Sequence, residues 1–197
     1  MVEAEFGDLL GSYIAGLSVG TVGRLFRHYR RLHQWNERMN LTAVPPGEES
    51  VRRHFAESLF LGSMIPPGFR TLVDFGSGGG FPGVPIAAWC EGLKVSLVES
   101  DVRKCVFLRE AAAELTNIEV LCARGEALRG RWDGVVSRAV NVEEVRKFAG
   151  IRAKWAGVLT SADIAAKFEW VAVTQVPWEP KYVVAELQVS CETPSAA

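Results

Sequence analysis

The sequence predicts an α/β fold: a doubly wound, mostly parallel sheet with an amino-terminal helical extension and a carboxyl-terminal antiparallel hairpin. Short β-branched or apolar runs alternate with helix-compatible segments over the last two thirds of the chain, as parallel strands joined by crossover helices require. The first run, TLVDF from Thr71, is followed by five glycines within eight residues, at the position where such sheets bind ligands.

Each element has its own signal. Val22, Leu25, Phe26, Tyr29, Leu32, Trp35 and Met39 recur at steps of three and four and predict an amphipathic helix, with most arginines on its other faces. Pro45, Pro46 and Gly47 interrupt it, and a second helix is expected over 48–61. Strands are expected at TLVDF, KVSLVES, NIEVLCA, WDGVVSRA and AGVLTS, with helices over 82–91, 102–115 and 142–155 and a short one near Asp163. Pro82 suits a first helical turn, where its missing N–H removes no hydrogen bond. EWVAVTQV and YVVAELQV, joined by PWEPK, read as two longer strands of a terminal hairpin. The expected division is a basic helical extension over 1–66 packed on a second unit over 67–197.

A chain of 197 residues with 48% hydrophobic and 23% charged residues is long enough for a full core, and its composition is that of a soluble globular protein. No window approaches the roughly 18 apolar residues of a membrane span, and acids stand where a signal peptide carries basic residues, so a cytoplasmic protein is expected. Cys90, Cys105, Cys122 and Cys191 stand singly, which argues against a zinc site and a disulfide framework; reduced, buried thiols are expected. The net charge of -1 hides a basic segment: residues 24–54 hold seven arginines and all three histidines against three glutamates. That run reads either as a solvated helix face or as a footprint for phosphates.

The glycine loop admits two ligands. Gly78, Gly80 and Gly83 match G-x-G-x-x-G, with Glu99 twenty-one residues beyond Gly78, so a dinucleotide is one reading. Against it, Asp74 closes the strand and Gly76-Ser77-Gly78 makes an earlier tight turn. An acid, then G-x-G, then a second acid at the next strand end suits S-adenosylmethionine, which has no pyrophosphate to cradle. Glycine backbones at Gly76 and Gly78 make room for a ligand, Asp74 can hold the loop or meet an ammonium group, and Glu99 can accept from both ribose hydroxyls.

The segments HQWNERMNLTAV, RRHFAESL, LVDFGSGGGFPGVPIA, SLVESDVRKCVFLREAA and WDGVVSRAV, in that order, closely resemble the glucose-inhibited division protein B family over about residues 29–140. The resemblance implies a class I, Rossmann-like methyltransferase fold and an enzyme that methylates N7 of a guanine in 16S ribosomal RNA, with S-adenosylmethionine as cofactor. By position it implies cofactor contacts at Gly76, Phe81, Gly125, Glu126 and Arg138, while Glu99 comes from the strand-end reading. Phe81 at the mouth of the loop reads as a cover for the cofactor or as core; Glu126 as an adenine-reading backbone or a cap. Two departures stand out: the likeness fades after Val140, where family members carry a Lys-Gly step and a basic tail, and Glu57 occupies the family's aspartate position in HFAES.

Guanine N7 carries a lone pair and no hydrogen, so the expected reaction needs no general base, only alignment. Arg138, ending an otherwise apolar strand, needs a partner or ligand and is the expected catalytic residue, through guanine O6 or the cofactor. Arg30, Arg31, Arg53 and His54 are the expected substrate contacts, with packing on the sheet as the alternative for His54; Arg146, Lys147, Arg152 and Lys154 form a second basic segment. The expected partner is 16S rRNA or an assembling small subunit, with no metal and no membrane, and a monomer is expected. A methyltransferase of the same fold with another substrate, and a noncatalytic protein binding RNA or a nucleotide, remain as alternatives.

Overall fold

The computed structural model describes residues 1–189. Seven strands, β1 (Thr71–Phe75), β2 (Lys94–Glu99), β3 (Ile118–Cys122), β4 (Gly134–Arg138), β5 (Trp155–Ser161), β6 (Ala172–Gln175) and β7 (Tyr182–Gln188), form one sheet in the order β3-β2-β1-β4-β5-β7-β6. The first five are parallel, and β7 runs antiparallel between β5 and β6. β1 lies between β2 and β4, with Val73 opposite Ser96 on one side and Val135 on the other. Alternate residues face opposite layers: Leu72 and Val136 join one apolar cluster, Val73 and Val135 the other. Because helices cover both faces, the central strands read as unbroken apolar runs.

Helices α1 (Glu3–Tyr13) and α2 (Val19–Asn36) precede a helical run made of α3 (Glu48–Ser50), a π-helical turn (Val51–Ala56) and α4 (Glu57–Ser63). These pack with α5 (Gly83–Trp89) and α6 (Val102–Ala111) on one face of the sheet; α7 (Val142–Arg152) covers the other, and a one-turn α8 (Ala162–Ala165) follows β5. Phe6, Leu25, Leu32, Phe55 and Leu59 from the first 66 residues share one cluster with Leu72, Ile86, Leu97 and Phe107, so helices and sheet bury a common core. Four arginines rivet the two parts together: Arg24 to Glu91 (2.6 Å), Arg27 (2.7 Å) and Arg31 (3.1 Å) to Glu114, and Arg52 to Glu179 (2.6 Å).

Several expectations need correction. α1 has no counterpart in the sequence reading. α2 ends at Asn36, leaving Met39 outside it, and α7 stops at Arg152 because Trp155 opens a buried strand. β6 is four residues rather than a longer strand: among the described residues it is the sheet edge, exposed throughout and paired only with β7. The cysteines were expected to be reduced and buried, yet Cys105 and Cys122 form a disulfide and Cys122 is exposed. The strand register sets Cys122 beside Glu99, and the turn out of β2 into α6 carries Cys105 back over that strand end, its Sγ 3.3 Å from Glu99 O. Among the described residues Cys90 has no disulfide partner and is partly buried; Cys191 lies outside them.

Candidate active site

A cavity of about 330 Å³ opens at the carboxyl edge of β1, β2 and β3, next to the point where the strand order reverses between β1 and β4. Phe75, Gly76, Glu99, Ser100, Gly125, Glu126, Val140 and Glu144 are among the residues lining it. Two glycines shape its walls. Gly76 has φ 79°, and a Cβ added there would lie 2.5 Å from Val140 Cγ2; one added at Gly125 would run into the Phe75 ring. The loop is tied down at its root, since the N–H groups of Gly76 and Ser77 both donate to Val98 O, at 3.0 and 2.9 Å.

The two acids have different duties. Asp74 is fully buried beneath the loop, where its Oδ2 accepts the Gly83 N–H at 3.0 Å. It therefore holds the loop, and no part of it is open to meet an ammonium group. Burial pushes its carboxyl up to about 7, against the opposing effect of the Gly83 hydrogen bond. Glu99 lines the cavity. Its Oε1 accepts from Ser100 N (2.7 Å) and Asp101 N (2.9 Å), and its Oε2 from Gly78 N (3.0 Å). A carboxylate offers about four acceptor positions, so Oε2 keeps one open. Gly78, with φ 53°, thus serves as the link between loop and acid.

Phe81 points away from the cavity. It is buried between two imidazoles, stacked on His28 at 4.8 Å and on His54 at 4.6 Å, with Phe55 edge-on. Both histidines are held neutral by burial, His28 down to about 4, and His54 is further depressed by Arg138 and Arg53.

Arg138 ends β4 and reaches into the π-helical turn. Its Nη1 donates to Arg53 O, and its Nη2 lies 3.4 Å from Glu57 Oε2. A π-helical turn widens the helix and often marks a functional site; here it presents a main-chain oxygen to the guanidinium. The Glu57 side chain is fully buried and the Arg138 side chain 13% exposed. Burial disfavours charge on both: the Glu57 carboxyl is pushed up to about 7 despite Arg138 beside it, and the pKa of Arg138 is lowered despite Glu57. The Nε and Nη2 groups of Arg138 make no hydrogen bond among the described residues, the contact with Glu57 being an ion pair.

Of the expected cofactor residues, Gly76, Glu99, Gly125 and Glu126 meet at the cavity, with the exposed Glu126 in a one-turn 3-10 helix (Gly125–Ala127); Asp74, Gly78 and Phe81 support the loop from below or behind. Arg138 lies beyond Val140, on the side of the π-helical turn. Of the expected substrate residues, Arg30 is exposed and makes no ion pair among the described residues; Arg31 is committed to Glu114, Arg53 to Tyr182 (2.8 Å to its hydroxyl, 5.3 Å to its ring centroid), and His54 is buried. Sequence reasoning missed Ser100, Val140 and Glu144 in the lining. Ser100 and Val140 follow the strand-end residues Glu99 and Arg138 and were findable on that ground; Glu144 comes from α7 and carried no signal.

A model of the GidB family, rRNA small subunit methyltransferase G, matches residues 22–157. The ribosomal RNA small subunit methyltransferase G of Stenotrophomonas maltophilia (strain K279a) is 35% identical over 173 residues, 85% of this chain and 81% of that protein. The protein of the same name from Aquifex aeolicus (strain VF5) is 36% identical over 127 residues, 61% of this chain and 65% of that one. Among solved structures, Aeropyrum pernix fibrillarin in complex with natively bound S-adenosyl-L-methionine has a TM-score of 0.51 at 15% identity, covering 66% of this chain and 72% of that chain, a likeness of fold alone. Among the described residues no helix is long and apolar enough to cross a membrane, and no group of three or more candidate ligands could hold a metal ion. The chain belongs to the rRNA small subunit methyltransferase G family.

Proposed function

We propose that this protein is a cytoplasmic enzyme that transfers the methyl group of S-adenosylmethionine to N7 of a guanine in 16S ribosomal RNA, as free RNA or within an assembling small subunit. The observation that carries the reading is Arg138, a buried guanidinium with uncommitted donors, two residues from the Val140 that walls a glycine-lined cleft.

The cleft suits the cofactor. Gly76 and Gly125 leave space that a Cβ would contest, Glu99 keeps one acceptor position for a ribose hydroxyl, and the backbone of Gly125 and Glu126 is available to an adenine edge. The cofactor supplies a sulfonium methyl carbon open to attack. This chain's residues need only bring the base to it, because guanine N7 attacks through a lone pair and releases no proton. Arg138 donates an N–H to guanine O6, which orients the ring and fixes its distance; a donor already in place costs no reorganisation as charge moves. Arg53 and Glu57 hold Arg138 from behind, and His54 keeps Phe81 under the loop. Residues 1–66 thereby form one wall of the substrate site over the unit formed by 67–197, and Arg30 contacts RNA phosphate.

The test is methyl transfer from labelled cofactor to small-subunit RNA and to subunits, followed by nucleoside analysis. Label in 7-methylguanine is expected, and Arg138→Ala should lower the rate about 100-fold with calorimetric affinity for S-adenosylmethionine kept. Label in another nucleoside, or in none, would sink the proposal.

A further inference from the structure

His54 lies between Arg138 and a residue of the extension. Its Nδ1 is 3.2 Å from Arg138 Nη1, and its Nε2 is 2.7 Å from Thr42 Oγ1. A guanidinium can only donate, so Nδ1 must be the bare, accepting nitrogen. The proton of the neutral ring is then on Nε2, which donates to Thr42 Oγ1; the same oxygen also accepts the Val44 N–H at 3.0 Å. Thr42 is clamped in turn by Asn36, whose Oδ1 accepts from Leu41 N (2.8 Å) and Thr42 N (2.9 Å) while its Nδ2 donates to Thr42 O (3.0 Å). The imidazole itself is flat against Phe81, 18° from parallel. Were the proton on Nδ1 instead, two donors would face each other and the guanidinium would swing away.

We infer that Asn36, Thr42 and His54 form a positioning relay: Thr42 receives the Nε2 proton of the tautomer that the Arg138 contact requires, and the ring so held aims the guanidinium of Arg138. The relay rests on the role proposed for Arg138, but its geometry is separate from the identity of the substrate. It assigns a purpose to the N-x-x-x-N-L-T segment, which otherwise reads as a turn: the turn delivers one hydroxyl oxygen to one ring nitrogen.

Thr42→Val keeps the shape and removes the acceptor. It should lower kcat about tenfold, equivalent to about 1.4 kcal/mol, while the calorimetric Kd for S-adenosylmethionine stays within about twofold, and Thr42→Ser should restore turnover. Long-range proton–nitrogen NMR of the unsubstituted protein should show His54 neutral, with a bare Nδ1 and a protonated Nε2. A proton on Nδ1, a Thr42→Val enzyme with full turnover, or a Thr42→Ser enzyme as slow as Thr42→Val would each overturn the relay. The nitrogen spectrum needs neither a variant nor a substrate. A protein that leaves small-subunit RNA unmethylated yet has the expected tautomer would thus refute the proposed function and support the relay.

Discussion

Lowering the pH should loosen the glycine loop through His28. Its ring is 1% exposed, stacks on Phe81 and lies 2.8 Å from Gly79 O, an acceptor that requires the proton on Nε2; its Nδ1 has no partner among the described residues. A second proton would have to sit on that buried Nδ1, which is why burial holds the pKa down to about 4 from 6.5. Because the folded value is depressed, the folded chain stays neutral where the unfolded chain takes up a proton. Stability is then fully present above the unfolded value and is lost as pH falls toward the folded one. Between about pH 7.5 and about pH 4.5 that loss comes to roughly 2.5 kcal/mol for this one group. His54 acts in the same direction, whereas Asp74 and Glu57, with carboxyls raised to about 7, bind protons first in the folded state and oppose it. The profile of the unsubstituted protein therefore mixes both signs, and a difference isolates His28. In urea titrations, its stability advantage over His28→Gln should shrink by about 2–3 kcal/mol across that pH range. An advantage that does not change with pH would mean that the ring titrates as if in water, and the account of the Phe81 stack would be wrong.

Other substitutions probe the cleft and the basic face. Gly76→Ala forces a Cβ against Val140 at φ 79° and should cost about 1–3 kcal/mol in thermal unfolding, with at least tenfold weaker cofactor binding by calorimetry on the order of 1.4 kcal/mol; unaltered affinity would remove Gly76 from the site. Ala139 holds φ 58° immediately after Arg138, so Ala139→Gly should gain about 1 kcal/mol and raise Tm by about 2–4 °C, and a drop in Tm would show that the backbone there is unstrained. Arg30→Ala should reduce the slope of log K for RNA against log salt by about one, whereas Arg31→Ala, whose guanidinium shares Glu114 with Arg27, should reduce it by less; equal effects would contradict the ion pair.

What the sequence made legible is what local chemistry determines. The five parallel strands announce themselves as β-branched runs, and the glycine loop reads correctly because φ values of 79° at Gly76 and 53° at Gly78 demand that residue type or its nearest substitutes. α1 escaped notice because it buries only Phe6 and Leu10 in eleven residues that include two glycines, too short a stripe to stand out. The arginine cluster was ambiguous for a different reason. The ion pairs of Arg24, Arg27, Arg31 and Arg52 were invisible because their partners Glu91, Glu114 and Glu179 lie 67 to 127 positions away. Glu57 and Arg138 likewise meet only because topology lays α4 against the end of β4. The pairing of Cys105 with Cys122 depends on a strand register that no spacing rule encodes.

The ties from Arg52 to Glu179 and from Arg53 to Tyr182 bear on the order of events during translation. Arg52 and Arg53 leave the ribosome 127 and 129 residues before Glu179 and Tyr182, the groups that receive them. Domains tend to fold as units while the chain emerges, so the π-helical turn should wait, incompletely anchored, until the final hairpin is made. Nascent chains arrested before Glu179 should thus be cut by protease near Arg52 and Arg53, and chains extended beyond β7 should resist; equal resistance would show that the first helices settle without β6 and β7. An enzyme assembled in this order gains its guanidinium socket only after Tyr182 has emerged.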